Sequence, residues 1–234
     1  MKRFLNWLLD YSWISLIVIM IISVFAFYWM KENTQMETDL DEYMPKNHPA
    51  FIYSDEAEDI FNIKDGIIIA IENKDGIYNT NTLKKVKDLT KELQKLPEIE
   101  KDDVTSLYTA DNIIGTEDGL DVKAFYKKVP KSREDIAELA HNVRFNEMIN
   151  ERLVSKDETV TVIIASIHDD VFSQEFYQKI LDVSHSYEDS NHKLYVAGTP
   201  IVEGTLAFLA PKDMKKMVPI VIVVILIVLF LLLR

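Results

Sequence analysis

The sequence predicts a two-span α+β membrane protein, and three observations carry that prediction. Residues 217–234 are apolar up to the final arginine, and residues 11–30 form a second run of the same kind. A helix needs roughly 17–25 apolar residues to cross a hydrocarbon core about 30 Å thick, and both runs reach that range. Between them lies a charged stretch in which short β-branched runs alternate with amphipathic helical patterns, the signature of a mixed sheet-and-helix ectodomain.

Charge separates the same three regions. The chain carries a formal net charge of −12. The charged residues outside the ectodomain (Lys2, Arg3, Asp10 and Arg234) sum to +2, so residues 31–216 carry −14. A surface this acidic repels phosphates, which argues against nucleic acid as a partner and against the domain lying flat on anionic lipid. The chain has no cysteine, which removes disulfides, thiolate metal sites and a cysteine nucleophile together.

Each element follows from local chemistry. Residues 1–10 carry Lys2 and Arg3 ahead of the first span, and the positive-inside rule puts them in the cytoplasm. The first span is too long for a signal-peptide core and ends in Tyr28-Trp29-Met30-Lys31, an aromatic belt with a snorkelling lysine. It is therefore read as an uncleaved transmembrane helix over 11–30. Arg234 then returns to the cytoplasmic side. Lys212, Lys215 and Lys216 fall on the extracytoplasmic side, against the rule, but a loop this long translocates largely regardless of its charge. Apart from Arg234 at the very end of the second, neither span contains Asp, Glu, Lys, Arg or His, so neither offers a proton relay.

Residues 31–62 connect the first span to the ectodomain. Asp39 to Met44 is polar and acidic, Pro45 and Pro49 forbid a continuous helix, and Pro49 suits the first turn of a helix reaching about Phe61. The ectodomain proper is placed at 63–216. A turn at Asp65-Gly66 precedes Ile67 to Ile71, read as a buried strand, and Asp75-Gly76 closes it. Val86, Leu89, Leu93 and Leu96 give helical spacing over Thr80 to Leu96, and Pro97 stops that helix. Val104 to Tyr108 reads as a second strand.

Residues 111–150 read as a small helical insert. Gly115 and Gly119 mark a loop, and Ser132 with Asp135 marks a helix start before Ile136, Leu139, Ala140 and Val143. Val160 to Ile167 is a third strand. Ser173 caps a helix with Phe176, Ile180, Val183 and Tyr187 on one face. Leu194 to Ala197 is a fourth strand, closed by Gly198. The order β-α-β-(insert)-β-α-β predicts a ferredoxin-like (βαββαβ) sheet with two helices on one face; a three-stranded sheet with a detached helical lobe is the competing architecture. Residues 199–216 then lead as a helix into the second span at 217–234, with Pro200, Pro211 and Pro219 expected to break it.

The search for chemistry is short. The five histidines (His48, His141, His168, His185 and His192) are scattered, and His168-Asp169-Asp170 alone has neighbouring carboxylates in sequence. That motif reads as a solvated turn, since a metal centre needs convergent ligands. No Gly-x-Ser-x-Gly elbow and no glycine-rich phosphate loop is present. The repeated Lys-Asp-Gly-Ile at 64–67 and 74–77 lacks the alternating carboxylates of a calcium loop. No enzymatic activity, cofactor or metal is predicted.

Several short stretches together give a family resemblance. Asp41 with Met-Pro-Lys-Asn-His-Pro at 44–49, Val-Thr-Ser-Leu at 104–107, Leu-Val-Ser-Lys-Asp at 153–157 and Ala-Gly-Thr-Pro at 197–200 occur in an order and spacing that resemble the RND (resistance–nodulation–division) superfamily, in particular exporters similar to the MMPL (mycobacterial membrane protein large) group. The resemblance implies a transporter of two similar halves, each with one helix, a porter ectodomain and a five-helix bundle. Such proteins move lipids, hydrophobic compounds or drugs outward, driven by protons through carboxylates of later membrane helices. On that reading the chain is a front piece of something longer. It supplies the first helix, the first porter domain and most of the second helix, and none of the proton-coupling residues.

The expected setting is the cell membrane, with residues 31–216 outside the cytoplasm. The partners implied are the bilayer, an amphiphilic substrate, the remaining bundle with its second porter domain, and a further copy of the chain. Gly198 and Pro200 are the candidate hinge between ectodomain and membrane. A two-span sensor ectodomain or a membrane-anchored accessory subunit remains the alternative, because the bracketed topology suits it equally.

Overall fold

The computed structural model describes residues 11–33, 43, 45–61, 66–116, 119–167 and 173–233. Outside these fall the N-terminal segment with Lys2 and Arg3, the acidic Asp39 to Asp41 with Met44, the Asp65 half of the first turn, the His168-Asp169-Asp170 motif and Arg234. The chain divides into two units, Met1–Glu37 and Thr38–Arg234.

The first unit is described by one helix, α1 (Ser12–Asn33), in which Trp13–Met30 is long and apolar enough to cross a membrane. Its large apolar side chains are exposed: Trp13 is 75% exposed and Phe27 71%. At its end the Asn33 side chain donates to the Trp29 carbonyl, satisfying one of the acceptors that a helix terminus leaves open.

The second unit is mixed α+β. It opens with α2 (Pro49–Phe61), whose first residue is the proline expected there. The elements that follow are β1 (Gly66–Asn73), α3 (Thr80–Leu93), β2 (Ile99–Thr105), β3 (Asp111–Thr116), β4 (Gly119–Ala124), α4 (Arg133–Arg144), β5 (Val160–Ile167), α5 (Gln174–Ser186), β6 (His192–Ala197) and α6 (Thr199–Leu233). Four strands form one sheet in the order β2-β5-β1-β6, and every pairing in it is antiparallel.

The core lies on one face of this sheet. Ile67, Ile69 and Ile71 of β1 are fully buried, as are Leu83, Val86, Leu89 and Leu93 of α3 and Ile180 of α5. Ile163, Ala165 and Ile167 of β5 join them. The β-branched run of β1, expected to be buried throughout, is covered on one side: Ile68 remains 40% exposed. An antiparallel sheet with helices on one face leaves its other face open, and the pleat sends alternate residues there.

The predicted caps are in place. Ser132 Oγ accepts from the Asp135 amide at 3.0 Å, and Ser173 Oγ from the Phe176 amide at 3.1 Å. Each satisfies a donor that the first turn of its helix leaves open.

Three expectations need correction. The second strand runs over Ile99–Thr105, with Ser106 to Ala110 forming a turn in which the Ala110 amide donates to the Ser106 carbonyl. This edge strand carries Glu100, Lys101, Asp102 and Asp103 and shifts register between Ile99 and Val104. Charge and bulging of this kind protect sheet edges and also hide them from a hydropathy reading. The insert is not helical alone: its first part is the antiparallel hairpin β3–β4, with α4 following. Finally, α6 runs unbroken from Thr199 to Leu233 with Pro211 and Pro219 inside it, where breaks were expected. Each proline leaves one carbonyl a turn earlier (Ala207 and Lys215) without its usual amide partner.

Candidate functional site

The sheet hands over to the long helix at Gly198. Its φ of +126° is one that L side chains rarely adopt. A Cβ added there would collide with the Gly66 carbonyl oxygen and come within 3.3 Å of the Ile67 Cα. Two conditions, a positive φ and backbone against backbone, therefore require glycine here. Gly198 is where the last strand of the sheet meets the start of the first.

Pro200 follows in the first turn of α6 and is buried, where its missing amide costs nothing because first-turn amides lack helical partners. Ile201, 7% exposed, belongs to the hydrophobic core. One turn later Thr205 Oγ1 donates to the Ile201 carbonyl at 2.7 Å and lies 3.0 Å from Tyr177 Oη, which ties α6 to α5. The structure thus brings both candidate hinge residues into one packed joint.

Below the joint α6 lines an open concavity of about 1160 Å³ that begins at Val196 and Gly198 and continues past Met217 to Val221 and Ile222. Thr205 and Asp213 supply its polar side chains; the rest of the lining is apolar apart from backbone. From Met217 onward every described residue is apolar and exposed.

A second cluster escaped the sequence reading. His192 is 1% exposed, with Nδ1 2.8 Å from Asp189 Oδ1 and Nε2 2.8 Å from Thr82 Oγ1. Thr82 Oγ1 also accepts from Asn73 Nδ2 at 3.0 Å and Asn79 Nδ2 at 2.9 Å. With both lone pairs engaged, its own proton is left for Nε2, and the imidazole proton on Nδ1 is left for Asp189. Hydrogen bonds from His192 first, then from the Asn191 amide, hold the Asp189 carboxyl below the usual carboxylate range. Lys85 adds an ion pair to Asp189 at 3.2 Å and donates to the Tyr187 carbonyl at 2.6 Å.

The hydroxyl–imidazole–carboxylate line resembles a nucleophile relay, but Thr82 is fully buried, so no substrate reaches its oxygen. The cluster joins the start of α3 to β6. Its only sequence signal was a histidine near an aspartate, His192 after Asp189, which ordinary surface turns share.

A third polar contact ties α4 to the turn before β5. Arg144 holds Glu158 in a two-pronged pair, Nε–Oε1 at 2.5 Å and an Nη nitrogen to Oε2 at 2.7 Å. This hydrogen bonding lowers the Glu158 pKa. The neighbouring Tyr78 hydroxyl is pushed up to about 12, chiefly by burial and then by the Glu158 charge. Among the described residues no three His, Asp or Glu side chains converge as a metal site would need.

A small antiparallel sheet with helices, joined without a break to one of two helices long and apolar enough to cross a bilayer, defines the class: a mixed α+β protein with two candidate membrane spans. The chain belongs to the MMPL family, whose model matches residues 77–234, from the turn after β1 to the end of the long helix. That match bears out the resemblance read from the short motifs, although the Asp41 and 44–49 motif lies outside the matched residues. No curated protein matches the chain.

Proposed function

We propose that the chain is the N-terminal part of a proton-driven RND-type exporter of lipids, hydrophobic compounds or drugs. In this reading α1 and the lower part of α6 cross the cell membrane, residues 1–10 lie in the cytoplasm, and residues 31–216 form an extracytoplasmic porter domain. The strand order β2-β5-β1-β6, with an α-helix after β1 and another after β5, supports a ferredoxin-like assignment for that domain. The chain acts without catalysis of its own. It contacts an amphiphilic substrate and works with a membrane bundle and a second porter domain, whose intramembrane carboxylates would carry the protons.

The observation that carries this reading is the unbroken helix Thr199–Leu233 in a chain of the MMPL family. One end is fixed to the sheet through Gly198 and Ile201, and the other is apolar and bare. A rigid element spanning both environments transmits movement between them, because packed helices shift as units. We assign Gly198 and Pro200 as the joint through which the porter domain and the helix act on each other.

The test is efflux of a lipophilic dye from a transporter-deficient bacterial strain expressing the complete gene. Dye accumulation should fall relative to the empty vector. It should be restored by a protonophore, and also by Gly198→Ala at an unchanged level of protein in the membrane. Accumulation equal to that of the vector control would overturn the proposal.

A further inference from the structure

The hairpin β3–β4 forms a sheet of its own, and a lone two-stranded hairpin is marginal in water. Ile113 and Val122, opposite each other in its register, are 47% and 53% exposed. Among the described residues no backbone hydrogen bond joins residues 120–124 to any element but β3. The register shows which groups the outer edge of β4 offers. The Phe125 amide donates to the Ala110 carbonyl, so these two residues form a hydrogen-bonded pair. Antiparallel ladders alternate such pairs with pairs that exchange no bonds. Asn112 with Lys123 and Ile114 with Asp121 are then bonded pairs, and the backbone N–H and C=O of Leu120, Val122 and Ala124 point away from β3. Asp121 and Lys123 lie on the opposite face from Val122, with Lys123 Nζ 2.6 Å from Asp121 Oδ2.

We propose that β4 pairs antiparallel with β4 of a second copy of this chain about a two-fold axis at Val122, joining two hairpins into one four-stranded sheet. In that register Val122 faces the partner's Val122, and Leu120 faces the partner's Ala124. Every outward amide and carbonyl of the three residues finds its complement. Asp121 falls opposite the partner's Lys123, and Lys123 opposite the partner's Asp121, in the closely spaced positions of the ladder where side chains meet most directly. Charge complementarity therefore selects a second copy: Asp-Val-Lys, read in reverse, is its own complement. Sliding the pairing by two residues either way sets Asp121 against the partner's Asp121 or Lys123 against the partner's Lys123, so charge also fixes the register. A lysine on a sheet edge ordinarily deters pairing. Here the aspartate two residues before it turns that deterrent into attraction for this sequence. The same patch is used twice, as a two-fold interface requires. The contact needs neither a membrane nor transport activity.

The test uses the 234-residue chain purified in mild detergent, which has no native cysteine. Cα atoms of a hydrogen-bonded antiparallel pair lie about 5.5 Å apart, within disulfide range. Mild oxidation of Val122→Cys should therefore give a covalent dimer on a non-reducing gel. Ile113→Cys should not, because three strand spacings, about 14 Å, would separate its two copies. Asp121→Lys and Lys123→Asp should each raise the dimer dissociation constant at least about tenfold, since two cross-strand pairs turn repulsive. An equimolar mixture of those two variants should recover the wild-type constant. Val122→Pro removes an amide that the hairpin itself does not use, so it should abolish the dimer and leave the unfolding midpoint unchanged. No disulfide at Val122→Cys, equal cross-linking at Ile113→Cys, a mixture no tighter than its components, or a dimer that survives Val122→Pro would overturn the proposal.

Discussion

The two ends of α6 share one backbone and differ in everything around it. In the upper turns Pro200, Ile201 and Gly204 are buried and Thr205 bonds to Tyr177. In the lower turns Ile222 is 51% exposed and Leu233 84%. A protein in water rarely leaves so long a row of large apolar side chains bare. The upper end takes its surroundings from the sheet, whereas the lower end has no packing partner among the described residues of its own unit. In the membrane placement proposed above, the residues between, from Lys212 to Lys216, are where one solvent would give way to another.

Substitutions can break this contrast at several strengths. The largest effect is expected at the joint. Gly198→Ala combines a positive φ with a backbone collision and should cost at least about 3 kcal/mol. Gly119, with φ +140° and no atom within 4 Å of an added Cβ, should lose only about 1 kcal/mol on the same change. Thermal unfolding in mild detergent, followed by circular dichroism, compares the two.

Next, Ile201→Ala should destabilise the domain by about 2–4 kcal/mol, as buried isoleucines do. Ile222→Ala should leave unfolding of the sheet unchanged, because it fills no cavity in the fold. Equal losses at both positions would mean that the lower helix is packed after all. Tyr177→Phe removes one hydrogen bond between α5 and α6 and should cost about 1 kcal/mol. Faster amide exchange in the first turns of α6 is the matching readout.

The smallest effect is electrostatic and lies away from the joint. Arg144 lowers the Glu158 pKa, so the stability from this pair is fully present above the ordinary glutamate value, near about 4.3. It is lost as pH falls through the lower folded value. Both side chains are partly exposed, which limits the contribution to about 0.5 kcal/mol. Unfolding midpoints measured between pH 6 and pH 2 should therefore fall slightly less steeply for Glu158→Gln than for wild type.

The sequence made the joint and the spans legible because they depend on local chemistry. Pro49, Ser132 and Ser173 mark helix starts through side-chain and backbone rules, and Gly198 after the short apolar run Leu194 to Ala197 marks the close of a strand. The strand Ile99–Thr105 was misplaced because charged edge residues mask its period. The hairpin at 111–124 was read as loop because Gly115 and Gly119 outweighed the short runs around them. His192 could not be found at all: its partners Thr82 and Asn73 lie more than a hundred residues earlier and meet it only when β6 pairs with β1. Continuity of α6 through Pro211 and Pro219 was likewise hidden, since each proline removes one helical hydrogen bond, and the sequence does not show that the rest of a long helix holds together around that loss.

The most direct test of the central claim uses the absence of cysteine, which gives a clean background for single-cysteine labelling. In intact cells a membrane-impermeant maleimide should label Lys101→Cys in the ectodomain and leave Val224→Cys in the lower helix unlabelled, even after the cells are opened. Labelling of Lys101→Cys only in opened cells would place the domain on the wrong side. Equal labelling of both positions in intact cells would contradict the membrane placement of α6 itself.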